Sequence, residues 1–588
     1  MVDDKIFISN RLKGTGYRGS EKDLWRVIIK EKSRDSDEPQ EEFQYLANGV
    51  IVGLRHIKRD DGATVESTVV LRVYYNGDQS EDIEIPEKFL DAKLFTEYLP
   101  LGYRPAVGKN SKAYIIDSIR VQDPKMEQLT IYQHTGWRLV NKKPLFLHAA
   151  GAIGDEDVSV NLDGRLSKYK FSNEKHDDRW DVLRQFMKIA PPRVTFPLLA
   201  IASLSPLNEF FRKAGCEPSF LLFLLGRSGT KKSTLAALTL SFFGEFDNKS
   251  LPSSFKDTGN SLEKFGFLLK DVLTVVDDYH PAMNRTYTSR LEQTAQEVCR
   301  MYGDRTGRNR MNADGSLRVN YPPRGNALLT GEDIPSVGES GEARLMIVEL
   351  LPEDVDMQML TAVQGKSNRL NECMCDYIEW LAESYKDLAT ALKRRFFELR
   401  DMAQSGGHGR IAEAIAYMQV AIEVWTLFLK SRNQIDNTQL EEIRNNSWEV
   451  FKELGEKQNR VMFDDKPSTL FITALKEMLA TKRIRLIDIN KQSPTFSGKD
   501  CIGWRDNNYA YLLGDTAYTE VCKFYRDQDK VFPVSKKQLL KHLAMDKYIV
   551  PGEQGNTHQK KIFGQNRRVV FLFENALSER AEEVNENA

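Results

Sequence analysis

The residues best suited to chemistry are Gly226-Arg227-Ser228-Gly229-Thr230-Lys231-Lys232-Ser233-Thr234. They lie between an apolar run, Phe220 to Leu225, and an amphipathic helical pattern. In that setting a Gly-rich turn points its backbone N–H groups inward and cradles phosphates, and the helix N-terminus adds positive potential. Lys232 then reaches the β- and γ-phosphates of ATP, and Ser233 ligates Mg2+. Lys231 occupies the place where the strict G-x-x-x-x-G-K-[ST] pattern has glycine. Shifting the register to make Lys231 the phosphate lysine would put Lys232 where a hydroxyl must meet the metal. The unshifted register is therefore preferred, with Lys231 either weakening binding or adding a second cation.

A second signal is Leu273-Thr-Val-Val-Asp277-Asp278, an apolar strand ending in two carboxylates. In this Walker B pattern Asp277 holds Mg2+, directly or through water, and Asp278 polarises the attacking water. Thr330 closes the next buried run and can reach the γ-phosphate or the water. Arg344 opens the strand after that, placed to project into a neighbouring subunit's site as a finger that stabilises transition-state charge. Arg410 opens a helix and is a candidate phosphate sensor on a lid. Two have a plainer alternative: a strand-end cap for Thr330, an exposed or salt-bridged strand residue for Arg344.

These groups need a parallel sheet to hold them. The apolar runs 220–225, 272–276, 327–330 and 345–350 alternate with helical patterns, as expected for a three-layer α/β core. Upstream, short β-branched and aromatic runs punctuated by Asp60-Asp61-Gly62 and Asn76-Gly77 predict a β-rich accessory domain over 1–151. The core with its preceding helices and the start of a helical lid is assigned to 152–431, the lid end and linker to 432–467. A mixed, partly basic domain follows over 468–575, and a flexible acidic tail over 576–588.

The chain's 588 residues, 41% hydrophobic and 28% charged, suit a multidomain globular protein. No apolar run approaches the ~18 residues of a membrane span. The start, Met-Val-Asp-Asp-Lys, lacks the basic-then-apolar order of a signal peptide. A cytoplasmic location without membrane contact is the expectation. The six cysteines show no CxxC pairing, so reduced thiols are expected and structural zinc is not. His280, His408 and His542 have no metal-site spacing and read as structural. Asp155-Glu156-Asp157 follows coil, which gives no support for a built-in primase.

A net charge of -1 says nothing about nucleic acid, so local charge decides. Arg308, Arg310 and Arg318 flank Asp314-Gly315, a hairpin turn signal, and form either a solvated basic loop or, as a resemblance to ring helicases implies, a DNA-binding hairpin whose arginines grip phosphates without reading sequence. Near the end, Ser535-Lys536-Lys537-Gln538 reads as a capping box opening a helix. Lys560-Lys561 and Arg567-Arg568 lie on the arms of a basic hairpin. Residues 523–568 hold eleven Lys and Arg against four Asp and Glu. A helix followed by a basic hairpin is a winged-helix layout, which can hold DNA phosphates or dock a protein.

Together these residues resemble AAA+ ATPases, specifically the replication helicases of staphylococcal mobile elements, Cch-type helicases and the related pathogenicity-island Rep initiator-helicases. That group looks like the minichromosome-maintenance (MCM) helicases. The resemblance covers about Tyr132 to Ser431, and includes Tyr132-Gln-His-Thr-Gly-Trp-Arg138, the P-loop, Val275-Val-Asp-Asp-Tyr-His-Pro281 and Gly338-Glu-Ser-Gly-Glu-Ala-Arg-Leu345. It implies a hexameric ring that hydrolyses ATP at subunit interfaces and moves on single-stranded or forked DNA. It casts Arg344 as the finger. An origin duplex and other replication proteins are further expected partners. Two alternatives stand beside this: an ATP-gated DNA-binding initiator without unwinding, and an AAA+ remodeller of proteins.

Overall fold

A computed structural model describes residues 2–30, 40–108, 110–154, 157–281, 284–307, 311, 315, 317, 319–335, 337, 339–404, 408–464, 466–490, 500–528, 531–552 and 555–578. The chain divides into two compact units, one of residues 1–337 with 344–454, the other of 338–343 with 455–588.

The first unit begins with the β-rich part. Strands Gly49–Asp60 and Val65–Tyr75 pair antiparallel over their whole length. The turn between them forms where Asp60-Asp61-Gly62 predicts it. Asp61 Oδ1 accepts from the backbone of Ala63 and Thr64, both at 2.9 Å, and Gly62 takes φ +88°. Val50, Val52, Leu71 and Val73 share one buried cluster with Ile8 and Leu12 of helix Val2–Leu12 and Ile115 and Ile119 of helix Ser111–Arg120. Neither helix was expected. Both are short, and an 8–12-residue stretch with few apolar positions carries little periodic signal.

The motif Tyr132 to Arg138 fastens this part to the parallel-sheet core. Gly136 has φ +86°, and a Cβ there would stand 2.4 Å from Lys270 O and 2.8 Å from Asp271 Oδ2. Only glycine permits that approach. It lets the Trp137 backbone N–H donate to the buried Asp271 carboxylate at 3.0 Å, while the indole N–H donates to Pro206 O at 2.8 Å. Lys270 Nζ returns a bond to Trp137 O at 2.6 Å, and Arg138 pairs with Asp60 at 2.5 Å. Lys270 and Asp271 immediately precede the strand Leu273–Tyr279, so this clamp sits at the root of the acidic strand.

The core is a five-stranded parallel sheet in the order Ser253–Ser254, Leu273–Tyr279, Asn326–Gly331, Leu221–Leu225, Leu345–Glu349. Its strands are almost wholly buried, as continuous apolar runs require. Helix Arg285–Asp304 packs Leu291, Ala295, Val298 and Cys299 against Phe223 and Leu329. Helices Pro192–Leu204 and Lys232–Leu240 also pack on this sheet.

From Met357 onward the first unit is helical. By length and composition the helical stretches Pro192–Ala214 and Gly409–Ser431 are apolar enough to cross a bilayer, against the expectation from run lengths, because a span tolerates an occasional charged residue. Both are buried within the first unit.

The second unit contains helix Pro467–Ala480, helix Gly514–Arg526, helix Lys536–Met545 and a five-stranded sheet. The sheet order is Arg485–Asp488, Cys501–Arg505, Tyr509–Leu512, Gln565–Phe573, His558–Ile562. The three helices cover one sheet face, through Leu475, Val521 and Leu539 packed with Ile502, Ala510, Leu512, Val570 and Leu572.

Candidate functional site

The strand Leu221–Leu225 turns into helix Lys232–Leu240 through the Gly226–Lys231 loop. This end of a parallel sheet, outside the carboxyl ends of its strands, is where α/β proteins bind ligands. Gly226 N donates to Gly331 O at 3.1 Å, tying the loop to the neighbouring strand. Arg227, Ser228, Gly229 and Lys231 are exposed, Thr230 is buried, and Ser233 and Thr234 lie half-buried in the first helical turn. Thr230 Oγ1 donates to Arg227 O at 2.9 Å.

Lys231, the departure from the strict pattern, adopts φ +70° and ψ 21° at the helix N-cap. The loop keeps the left-handed conformation that glycine serves in the strict pattern, with an L residue carrying a cost of about 1–2 kcal/mol. Lys232 is 9% exposed and its Nζ donates to Arg227 O at 2.8 Å. Burial pushes its ammonium below the usual lysine range, while Glu332, Asp277 and Asp278 oppose that shift.

Asp277 and Thr330 meet directly. Thr330 Oγ1 donates to Asp277 Oδ1 at 2.5 Å and accepts from Asp278 N at 3.1 Å. One hydroxyl therefore holds both residues of the acidic pair. The pairing register slips between Val276 and Tyr279, and Asp278 takes φ +70° within that slip. Lys256 Nζ bonds Asp278 Oδ2 at 2.7 Å. That hydrogen bond holds the Lys256 ammonium above its usual range.

Glu332 was missed by the sequence reading. It stands two residues after Thr330, takes a backbone bond to Tyr279 O at 3.0 Å, and pairs with His280 Nδ1 at 3.2 Å. Of the three carboxylates it opposes the Lys232 shift most. Its position just past the strand end was the available signal. His280, read as structural, thus stands beside the candidate site.

Arg344 and Arg410 form a second cluster. Arg344 Nη2 reaches Asp304 Oδ1 at 2.5 Å, and Arg410 Nη2 reaches the same oxygen at 3.4 Å. The Arg344 side chain is 7% exposed. The finger candidate is held inside its own chain by an acid at the end of helix Arg285–Asp304. His408 caps the Arg410 helix, its Nδ1 accepting from Arg410 N at 3.2 Å.

Arg308, Arg310 and Arg318 lie outside the described residues. Around them, Met311 and Leu317 pair antiparallel and Gly315 has φ +81°, which fits a hairpin. Just before it the buried Arg305 guanidinium donates to Pro218 O at 2.6 Å, Gly325 O at 2.5 Å and Asn326 Oδ1 at 3.0 Å. Those bonds anchor Arg305 at the end of helix Arg285–Asp304.

In the second unit the Ser535 capping box is formed, with Gln538 as its reciprocal partner. Lys536 pairs with Asp515, and Lys537 is exposed. Strands His558–Ile562 and Gln565–Phe573 form the hairpin, with Lys560 opposite Arg567, Gln559 opposite Arg568, and Lys561 opposite Asn566. Because side chains alternate, Lys560 and Arg567 share one face and Lys561 and Arg568 the other.

The donor set fits a nucleoside triphosphate with a divalent cation. A nearly buried ammonium lacking a direct carboxylate bond in the described contacts stands at a loop of left-handed residues, beside Ser233, Asp277 and Asp278.

No curated protein sequence matches the chain. A solved structure titled "SCCmec type IV Cch - active helicase" is similar over 96% of this chain and 98% of that one, with a TM-score of 0.56 and 13% sequence identity. The chain therefore shares the fold of that helicase, a mixed α/β architecture with a parallel core sheet. A family model described as "Domain of unknown function (DUF927)" matches residues 17–320, spanning the β-rich part, the Gly226–Thr234 loop and the Asp277-Asp278 strand. The chain belongs to this DUF927 family.

Proposed function

We propose that the chain is an ATP-dependent DNA helicase and replication initiator of a mobile genetic element. The observation that carries the reading is the joining of Asp277 and Asp278 through Thr330 beside the buried Lys232, at the carboxyl ends of a parallel sheet. The fold shared with a protein titled an active helicase supports it.

Lys232, the loop backbone and Ser233 would bind the triphosphate; Ser233 and Asp277 would hold Mg2+. Bound ATP with Mg2+ supplies the phosphoanhydride bond whose hydrolysis drives movement. Asp278 would accept a proton from and orient the attacking water, and Thr330 keeps the acidic pair in register. Arg344 would leave Asp304 to serve a neighbouring subunit in a ring, a hexamer in an MCM-like arrangement, with Arg410 sensing nucleotide from the helical lid. Arg308, Arg310 and Arg318 would pull DNA. The second unit, read as a winged-helix-like domain through Lys536, Lys537, Lys560, Lys561, Arg567 and Arg568, would hold single-stranded, forked or origin DNA. The test is ATP turnover with and without single-stranded DNA. Stimulation by DNA, abolished in Lys232→Ala, is expected; turnover indifferent to DNA favours a protein remodeller.

A second reading, an ATP-gated initiator with negligible turnover, is favoured by the Lys256–Asp278 ion pair and the strained Lys231. It expects ATP-dependent assembly on DNA without hydrolysis.

A further inference from the structure

The sheet of the second unit has two unlike faces. One is covered by three helices. The other gathers Trp504, Tyr511, Ile562 and Val569, packed with Ile487, Tyr509 and Phe571, and among the described residues no helix interior joins this cluster. The register explains the gathering. Ile487 lies opposite Trp504, Trp504 opposite Tyr511, and Tyr511 opposite Phe571, while Tyr509 lies opposite Phe573 in the adjoining row. Side chains alternate along each strand, so these residues point to one side.

Trp504 and Tyr511 are buried, but Tyr509, Phe571 and Phe573 remain half-exposed. Tyr509 stands 5.6 Å from the Phe571 ring and 5.4 Å from the Phe573 ring, centroid to centroid. The three rings form one continuous partly open aromatic surface.

Charge on this face is arranged unusually. Lys560 and Arg567 are directly opposite each other across the hairpin. Like charges so placed destabilise a strand pair. Each rests over a ring of the same face, Lys560 Nζ 4.6 Å from the Tyr511 centroid and Arg567 5.3 Å from that of Trp504. A nearby acid, Asp506, accepts from Tyr511 Oη at 2.5 Å through its carboxylate. Two opposed cations beside open aromatic rings suit a ligand carrying both an anionic backbone and flat unpaired rings. Single-stranded nucleic acid has that chemistry, and duplex does not present its base faces.

We infer that this aromatic sheet face is a stacking platform for single-stranded DNA, with bases on Tyr509, Phe571 and Phe573 and phosphates at Lys560 and Arg567. The inference rests on the chain being a DNA-handling protein, and it assigns the strand to the aromatic side of the hairpin. Lys561 and Arg568, on the opposite side, are not part of it.

The test uses the full chain without nucleotide, and measures fluorescence anisotropy with labelled oligothymidine and with an abasic strand of equal length. The double variant Tyr509→Leu with Phe573→Leu keeps apolar volume and removes two ring faces. It should lose roughly tenfold or more in affinity for oligothymidine, since two ring faces on which bases stack are removed. Its affinity for the abasic strand should not change. Tyr509→Phe, which keeps the ring, should bind as the wild type does and serves as the control for folding. Lys560→Gln with Arg567→Gln should weaken both strands and reduce the salt slope by roughly 1.4, for two phosphates.

Oligothymidine binding unchanged in the leucine variant overturns the platform, as does an equal loss for both strands; the face would then dock a protein segment or nothing. If that variant is unaltered while DNA still stimulates ATP turnover, the platform alone falls. If the wild type binds no single strand and DNA has no effect on turnover, the helicase reading falls with it.

Discussion

Arg344 Nη2 lies 2.5 Å from Asp304 Oδ1, within the chain that carries both residues. The guanidinium proposed as a finger is thus held by an intramolecular acid. Arg410 shares that carboxylate. Burial would raise the Asp304 pKa, but the hydrogen bond and charge of Arg344, with Arg410, outweigh it and hold the carboxyl below its usual range. If Arg344 is the finger, Arg344→Lys keeps the charge and loses the planar fork. ATP turnover is then expected to fall about 1,000-fold with nucleotide affinity within a few-fold of wild type. Turnover close to wild type would remove Arg344 from the site.

Lys231 tests the loop. In Lys231→Gly the left-handed conformation becomes free of side-chain strain, a gain of about 1–2 kcal/mol. Glycine's extra freedom in the unfolded chain returns about 0.5–1 kcal/mol of that. A net stabilisation of up to about 1.5 kcal/mol is expected in thermal unfolding. A destabilised variant would show that the Lys231 side chain makes a favourable contact that outweighs its strain.

Lys256 occupies one oxygen of the proposed water-orienting carboxylate. The ion pair is exposed, so Lys256→Ala should change stability by less than about 1 kcal/mol. Freed of the ammonium, Asp278 can take its water, and basal turnover should rise a few-fold, whereas Asp278→Asn should lower it by about 100-fold or more. Falling turnover in Lys256→Ala would mean the lysine assists the reaction.

The parallel sheet and its loop were legible because buried strands read as unbroken apolar runs, and because Gly226 to Thr234 sits between strand and helix. Less legible was what depends on register. The slip at Asp278 is invisible in sequence, and so is the division of Lys560 and Arg567 from Lys561 and Arg568. Lys256 comes to the site through the tertiary fold, from a chain position that carries no motif, and Glu332 is marked only by its place just past a strand end. Gly136 and Trp137 were recognised as a motif, but their work of docking onto Asp271 needed the long-range packing.

His148 gives a pH test. Burial pushes its imidazole down to about 4, and its Nδ1 accepts from Ala150 N and Phe171 N, both at 3.3 Å. The folded pKa lies below the unfolded value of about 6.5, so the unfolded chain binds the proton first. This contribution is fully present above about pH 6.5 and is lost as pH falls toward 4, reaching about 3 kcal/mol. His148→Asn retains an acceptor without the titration. Its acid-unfolding midpoint, followed by tryptophan fluorescence, should move to lower pH, with little change at pH 7. An unmoved midpoint would show that another group governs acid unfolding.

The most direct measurement of the central claim is ATP-dependent unwinding of a forked DNA duplex, with Lys232→Ala as the control. The account expects strand separation by the wild type that requires ATP and disappears in the variant. ATP-dependent assembly on DNA without strand separation would contradict it and support the nucleotide-gated initiator.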